Sequence, residues 1–253
     1  LMIRNLKCAK CGACVSVCPE EALRMSEEGE RLIDWQKCDN CFKCVKACLY
    51  GSLNRAGDEM TPKQVLEEVE KDRVFYKNSG GGVTISGGEP MGQTDFLEEL
   101  LEQLKAADLH VTLDTTGHAP PESYERILRN VDLVLFDIKH LDPEQHQKYM
   151  GVSNKLILKN AKLVAEMVKT WFRIPLIAGY NDGPEHFERV VDIAAEYGVE
   201  KISLLPFHEG GSAKTEQVGN PLPGFSGKAP TDKHIQHLID LAKQKGVLVT
   251  VGS

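Results

Sequence analysis

The chain has 253 residues, with 30 Lys and Arg against 37 Asp and Glu, a formal net charge of −7. That length fits a small module plus one larger domain. The acidic balance and scattered basic residues argue against a nucleic-acid surface, and no run of about 18 apolar residues offers a membrane span.

All eight cysteines fall within the first 48 residues. Cys8, Cys11, Cys14 and Cys18 are spaced C-x2-C-x2-C-x3-C and are followed by Pro19. Cys38, Cys41, Cys44 and Cys48 repeat that spacing 30 residues later, with Leu49 where the first run has proline. An even count permits disulfides, but disulfide-dense chains are usually small. Zinc sites favour paired C-x2-C hooks over triplets plus one. The repeated run is the ligand pattern of bacterial-type proteins carrying two 4Fe–4S clusters. Three close thiolates take three corners of a cubane, and the fourth ligand must come from elsewhere. In two-cluster ferredoxins, which this run resembles, the fourth cysteine of each run ligates the other cluster. That resemblance assigns Cys8, Cys11, Cys14 and Cys48 to one cluster, and Cys38, Cys41, Cys44 and Cys18 to the second. Residues 1–57 form this module. Its reduced cysteines fit an anaerobic cytoplasm.

A polar junction, Arg55 to Asp58, leads into residues 58–253. Thr61-Pro62-Lys63-Gln64 opens a helix, with Thr as N-cap, Pro at the first position and Gln in the capping-box place. That helix is expected to run to the glycines at 80–82. Val83 to Ile85 reads as a short buried strand. Phe96, Leu97, Leu100, Leu101 and Leu104 recur at helical spacing. Strands are expected at 110–113, 131–136, 171–177, 202–205 and 247–251. Helices are expected at 121–128, from Pro143, at 156–168, 187–197 and 231–245. This alternation argues a parallel sheet with covering helices. The polar residues choose among the parallel folds. Ser86 to Glu89, Asp114 to Gly117, Asp137 with Lys139, Arg173 and His208 fall at or near successive strand ends, as at a barrel mouth. Too few units are present for eight, so the expectation is a partial barrel.

The glycine-rich stretch 80–88 spells neither G-x-G-x-x-G nor a phosphate loop. Its backbone is placed to approach a ligand, with Glu89 at the strand end. Asp137 and Lys139 are two apart on a strand and share a face, as an ion pair or as a site for a zwitterion. Asp114 with Thr115 offers oxygens to a cation. The other seven histidines form no constellation in the sequence.

The segment from Tyr76 to Pro90 (Tyr-Lys-Asn-Ser-Gly-Gly-Gly-Val-Thr-Ile-Ser-Gly-Gly-Glu-Pro) resembles the activating enzymes of glycyl radical enzymes, in the radical S-adenosylmethionine (SAM) superfamily. Leu113 to Gly117, Phe136 to His140, Gly151 to Asn154, Arg173 to Leu176 and Leu204 to His208 add to the resemblance. It implies a partial (β/α)6-type barrel behind a ferredoxin-like module. It also implies reductive cleavage of SAM to a 5′-deoxyadenosyl radical that draws a hydrogen from a glycine of a partner enzyme. Gly87, Gly88 and Glu89 would hold the methionine amino group. Asp114, Asp137, Lys139, Arg173 and His208 would contact SAM or order its surroundings. Asp114, Thr115 and Asp137 resemble a monovalent-cation site. The partners implied are a glycyl radical enzyme and a donor such as flavodoxin or ferredoxin, with neither nucleic acid nor membrane. The family's catalytic C-x3-C-x2-C is absent from these residues, because Glu21 and Gly51 stand where its third cysteine would fall. The expectation is a missing first strand and motif loop, with a third cluster in the longer protein. The residues given would then bind two clusters without cleaving SAM. The rivals are an electron-transfer protein that has lost SAM chemistry and a radical SAM enzyme with another substrate.

Overall fold

The structure, a computed structural model, describes residues 1–208, 217–219 and 227–252. These fall into two compact units, one holding residues 1–59 and 217–219, the other 60–208 and 227–252.

The first unit is a repeat in backbone as well as in sequence. Its elements are β1 (Met2–Ile3), α1 (Ala13–Ser16), β2 (Leu23–Met25), β3 (Arg31–Ile33), α2 (Lys43–Ala47) and β4 (Leu53–Asn54). Strands β1 and β4 pair antiparallel with Ile3 opposite Leu53, and β2 and β3 pair with Ile33 opposite Leu23. Left-handed residues recur at the same offset: Lys10 and Asn40, Gly12 and Phe42, Glu21 and Gly51. The turns close alike, Cys18 N to Val15 O and Cys48 N to Val45 O both at 3.2 Å. Phe42 therefore accepts a conformation that costs a side chain about 1 kcal/mol or more, because the helix that presents Cys44 must start there. Among the described residues its buried apolar core is a cluster of Cys14, Leu23, Cys44 and Leu53, with Ala22 also buried.

The second unit begins with α3 (Pro62–Glu70), and the capping box is present: Gln64 N donates to Thr61 Oγ1 at 3.3 Å and Thr61 N to Gln64 Oε1 at 2.8 Å. The helix expected to continue to the glycines is instead two. Lys71 and Asp72 turn the chain through i to i+3 bonds, and α4 (Arg73–Ser79) follows. Arg73 clamps this corner by pairing with Glu70 and donating to Ala107 O, a contact distant in sequence that periodicity does not report.

Strands and helices then alternate: β5 (Val83–Ile85), α5 (Thr94–Ala106), β6 (Val111–Thr115), α6 (Pro121–Ile127), β7 (Leu133–Asp137), α7 (Pro143–Met150), α8 (Lys155–Met167), β8 (Thr170–Leu176), α9 (Pro184–Glu196), β9 (Lys201–Pro206), α10 (Asp232–Gln244) and β10 (Leu248–Val251). The six strands are all parallel and lie in sequential order from β5 to β10. A doubly wound sheet would reverse its order at a switch point. Unbroken order is the arc of a barrel. Alternation on β8 buries Thr170, Phe172, Ile174 and Leu176 and leaves Trp171, Arg173 and Pro175 half-buried. Leu97, Leu100, Leu101 and Leu104 of α5 join the main core with Phe136, Phe172 and Phe187.

Candidate active site

The register brings charged residues from successive strands side by side. Asp137 is opposite Arg173, which is opposite Ser203, while Asp114 is opposite Leu135. Arg173 Nη2 lies 2.7 Å from Asp114 Oδ1 and 2.9 Å from Asp137 Oδ1. Its Nε also donates to Asp137 Oδ1, at 3.0 Å. Lys139 Nζ is 3.7 Å from Asp137 Oδ2, and Ser86 Oγ donates to Asp114 Oδ2 at 3.0 Å. Four predicted site residues are thus one network across β6, β7 and β8, with side chains between 12% and 26% exposed. Burial raises the Asp137 carboxyl above the usual carboxylate range, against the pull of Arg173 and Lys139, and Asp114 adds to the rise. Trp171 lies on the same face, two residues before Arg173, with the Lys201 ammonium 4.1 Å above its ring. Neither was picked out by sequence, since a tryptophan in an apolar strand reads as core.

Gly87 and Gly88 are exposed at the end of β5, and Gly87 takes φ +142°, a conformation open to glycine. Glu89 is turned the other way. Its Oε1 accepts from Thr115 Oγ1 at 2.8 Å and Met91 N at 3.2 Å; its Oε2 accepts from Thr116 N at 2.7 Å and Thr116 Oγ1 at 2.5 Å. A carboxylate has about four acceptor sites, and all are taken. Glu89 ties the loop after β5 to the loop after β6, anchored below by Tyr124 OH, 2.9 Å from Thr115 Oγ1. The three residues expected to share a cation are not gathered by their side chains. Thr115 points to Glu89 and Tyr124, on the face opposite Asp114, and both aspartates engage Arg173. His208 is exposed just past β9.

In the first unit all eight thiols are unpaired. Cys18, Cys38, Cys41 and Cys44 line one pocket, so the fourth cysteine of the first run joins the first three of the second. Burial lifts the Cys14 thiol; Arg31 opposes that, while Cys8 and Cys48 reinforce it by like charge. Burial also resists ionisation of Cys48, but the amides of Ser52, Leu53 and Tyr50, with Arg31, outweigh it and hold the thiol below its ordinary value. Four thiols around a pocket suit a cubane, whose irons occupy separate corners. Among the described residues no three His, Cys, Asp or Glu converge on a single metal ion.

The radical SAM superfamily profile matches residues 37–194, and a 4Fe-4S dicluster domain profile matches residues 1–49. The chain is 35% identical over 250 residues to the trans-4-hydroxy-L-proline dehydratase activating enzyme of Clostridioides difficile, covering 97% of this chain and 82% of that one. It is 36% identical to the (2S)-3-sulfopropanediol dehydratase activating enzyme of Klebsiella oxytoca, covering 96% and 80%. The chain belongs to the radical SAM activating enzymes of glycyl radical enzymes. A solved domain of pyruvate-formate lyase-activating enzyme from Bacteroides vulgatus superposes with a TM-score of 0.59 and 32% identity, covering 68% of this chain and 99% of that one.

Within this radical SAM fold, buried asparagines hold the loops that form the mouth, a role that spacing along the chain does not signal. Asn160 donates to Gly117 O and Ala119 O, both at 2.8 Å, fixing the loop after β6. Asn154 donates to His140 O and Leu141 O, both at 2.8 Å, fixing the loop after β7. Asn181 donates to Lys139 O at 2.9 Å and Pro175 O at 2.8 Å. Of the three, Asn154 belongs to the Gly151 to Asn154 segment that resembles the activating enzymes. The others lie in segments that read as ordinary helix or loop.

Proposed function

We propose that Asp114, Asp137, Lys139 and Arg173, with the Gly87–Gly88 backbone, form the SAM cradle of this activating enzyme. The observation that carries the reading is the guanidinium of Arg173 held between two carboxylates at the ends of neighbouring strands. SAM presents an ammonium, a carboxylate and a sulfonium cation, and a cradle of fixed alternating charge is complementary to them. Its dipoles are already oriented, so little reorganisation is needed when the ligand arrives. Gly87 and Gly88 let the chain come close to the amino group, and Glu89 fixes their position by tying the loop to Thr115 and Thr116. His208 stands at the rim.

In the same reading the first unit holds two 4Fe–4S clusters, on Cys8, Cys11, Cys14 and Cys48 and on Cys38, Cys41, Cys44 and Cys18. Supported by the shared pocket and by the mutual electrostatics of the thiols, they take electrons from a flavodoxin or ferredoxin in an anaerobic cytoplasm. SAM, when bound and reduced, supplies the radical chemistry that ends in a glycyl radical on the partner enzyme. In this reading none of the chain's eight cysteines is left to ligate a third cluster.

Equilibrium binding of SAM to the anaerobically purified protein tests the cradle. Asp137→Asn and Arg173→Met are each expected to weaken binding at least about tenfold, the loss of roughly one charge-assisted hydrogen bond. Undiminished affinity in both variants, with circular dichroism unchanged, would remove these residues from the site.

A further inference from the structure

The two halves of the cysteine module repeat in backbone, yet the repeat breaks in what surrounds the sulfurs. Around the Cys8, Cys11, Cys14 and Cys48 set stand Arg31 and Ser52. Thirty residues earlier, at the equivalent places around the other set, stand Leu1 and Ala22, and both line the pocket shared by Cys18, Cys38, Cys41 and Cys44. Arg31 Nη1 donates to Cys8 Sγ at 3.8 Å and to Ser52 Oγ at 2.8 Å; its Nη2 donates to Asn5 Oδ1 at 3.1 Å and Ser52 O at 3.4 Å. Ser52 Oγ donates in turn to Arg4 O at 3.1 Å, and Ser52 N donates to Cys48 Sγ at 3.3 Å. The guanidinium is therefore fixed, and its Nε is buried without a partner among the described residues. Among the described residues no side chain donates a hydrogen bond to a sulfur of the second set, and besides its four cysteines its pocket is lined by Leu1, Ala22, Leu23, Asp39, Asn40 and Phe42.

We propose that Arg31, positioned by Ser52 and Asn5, makes the two clusters unequal, so that the first electron taken up resides on the cluster held by Cys8, Cys11, Cys14 and Cys48. This rests on the two-cluster reading above. Cluster potential follows net charge, hydrogen bonds to sulfur and exposure. Reduction adds one electron, from a low-potential flavodoxin or ferredoxin, and therefore one negative charge. A fixed cation beside Cys8 stabilises that charge, and the other pocket has Leu1 at the place equivalent to Arg31. The arrangement sets a direction: an electron entering at the cluster of the second set moves downhill to the one beside Arg31. Arg31 is a positioning residue for electrons and touches no substrate.

The test is a redox titration of the anaerobically reconstituted protein, followed by electron paramagnetic resonance, with iron content measured in parallel. The unsubstituted protein is expected to show two separate one-electron steps. Arg31→Gln is expected to move the higher step to more negative potential and leave the lower one in place. Arg31→Lys, which keeps the charge, is expected to retain most of the separation and guards against misfolding in the first variant. Full iron for two clusters with two coincident steps, or with steps unmoved by Arg31→Gln, overturns the proposal and leaves the cluster assignment standing. Iron for fewer than two clusters in the unsubstituted protein overturns both.

Discussion

At the scale of single residues, the site separates groups that face a ligand from groups that hold those groups still. Glu89 belongs to the second kind. Its two oxygens receive four donors from Thr115, Thr116 and Met91, so a side-chain amide in its place would set N–H against N–H. Glu89→Gln is expected to cost about 1–3 kcal/mol, the penalty for a donor left facing donors in a partly buried site, measured as a fall in the urea midpoint. Asp114 and Asp137 are different, since their oxygens are shared among the charged side chains of Arg173 and Lys139 and the hydroxyl of Ser86. The identity of these residues was legible in the sequence because charged groups at strand ends are costly to leave idle. The direction in which Glu89 points was not, because that depends on the loop after β6, 26 residues further on, lying within hydrogen-bond reach.

Elements impose their own limits. A Cβ on Gly82 would lie 2.1 Å from His110 O, the atom to which Val83 N donates at 2.9 Å. Glycine is therefore required at the entry to β5, and Gly82→Ala is expected to destabilise by about 3 kcal/mol through overpacking against backbone. Faster hydrogen exchange at the Val83 amide would report it. A second element-scale effect joins α9 to the loop after β7. His186 lies with its ring centroid 4.4 Å from that of His140, and His140 Nδ1 accepts from Asp142 N at 3.0 Å. Burial, reinforced by His140 and Arg189, pushes His186 down to about 4. The unfolded imidazole takes up its proton near pH 6.5. Above that pH both states are neutral and nothing is lost; between about 6.5 and 4 the unfolded state alone binds the proton, and stability falls. The loss saturates at roughly 3 kcal/mol. Thermal melts between pH 7 and 4 are expected to show it, and His186→Phe is expected to flatten that slope. The histidines were read from sequence as unconnected. They meet only because β7 and β8 are neighbours, which brings the loops above them together.

For the whole molecule, the two units differ in what stabilises them. The second has a continuous apolar core built on six strands and their helices. Among the described residues the first encloses five apolar side chains, two of them the thiols of Cys14 and Cys44. A domain of that size rarely stands on such a core without metal. Removing iron from the purified protein with a chelator under reducing conditions is expected to unfold residues 1–59 and spare the sheet. Limited proteolysis should then cut within the cysteine module while a fragment beginning near Met60 persists. Cleavage spread evenly over both units would show that the sheet also depends on the metal.

The sequence by itself determined the cysteine repeat, the β–α alternation, the capping box at Thr61 and the family, because these depend on spacing and on local chemistry. The parallel sheet and the partial barrel could be inferred from the same alternation, since short crossovers through helices leave few other choices. Only the tertiary structure decided which polar groups are partners. It placed Arg173 between Asp114 and Asp137, turned Glu89 onto Thr115 and Thr116, and set Arg31 beside Cys8 while Leu1 lines the other pocket. It also split the helix expected after Thr61 at Lys71 and Asp72. Each of these outcomes is a contact between strands, loops or repeats distant along the chain. Such contacts are fixed by register and packing, which one residue's neighbours in sequence do not encode.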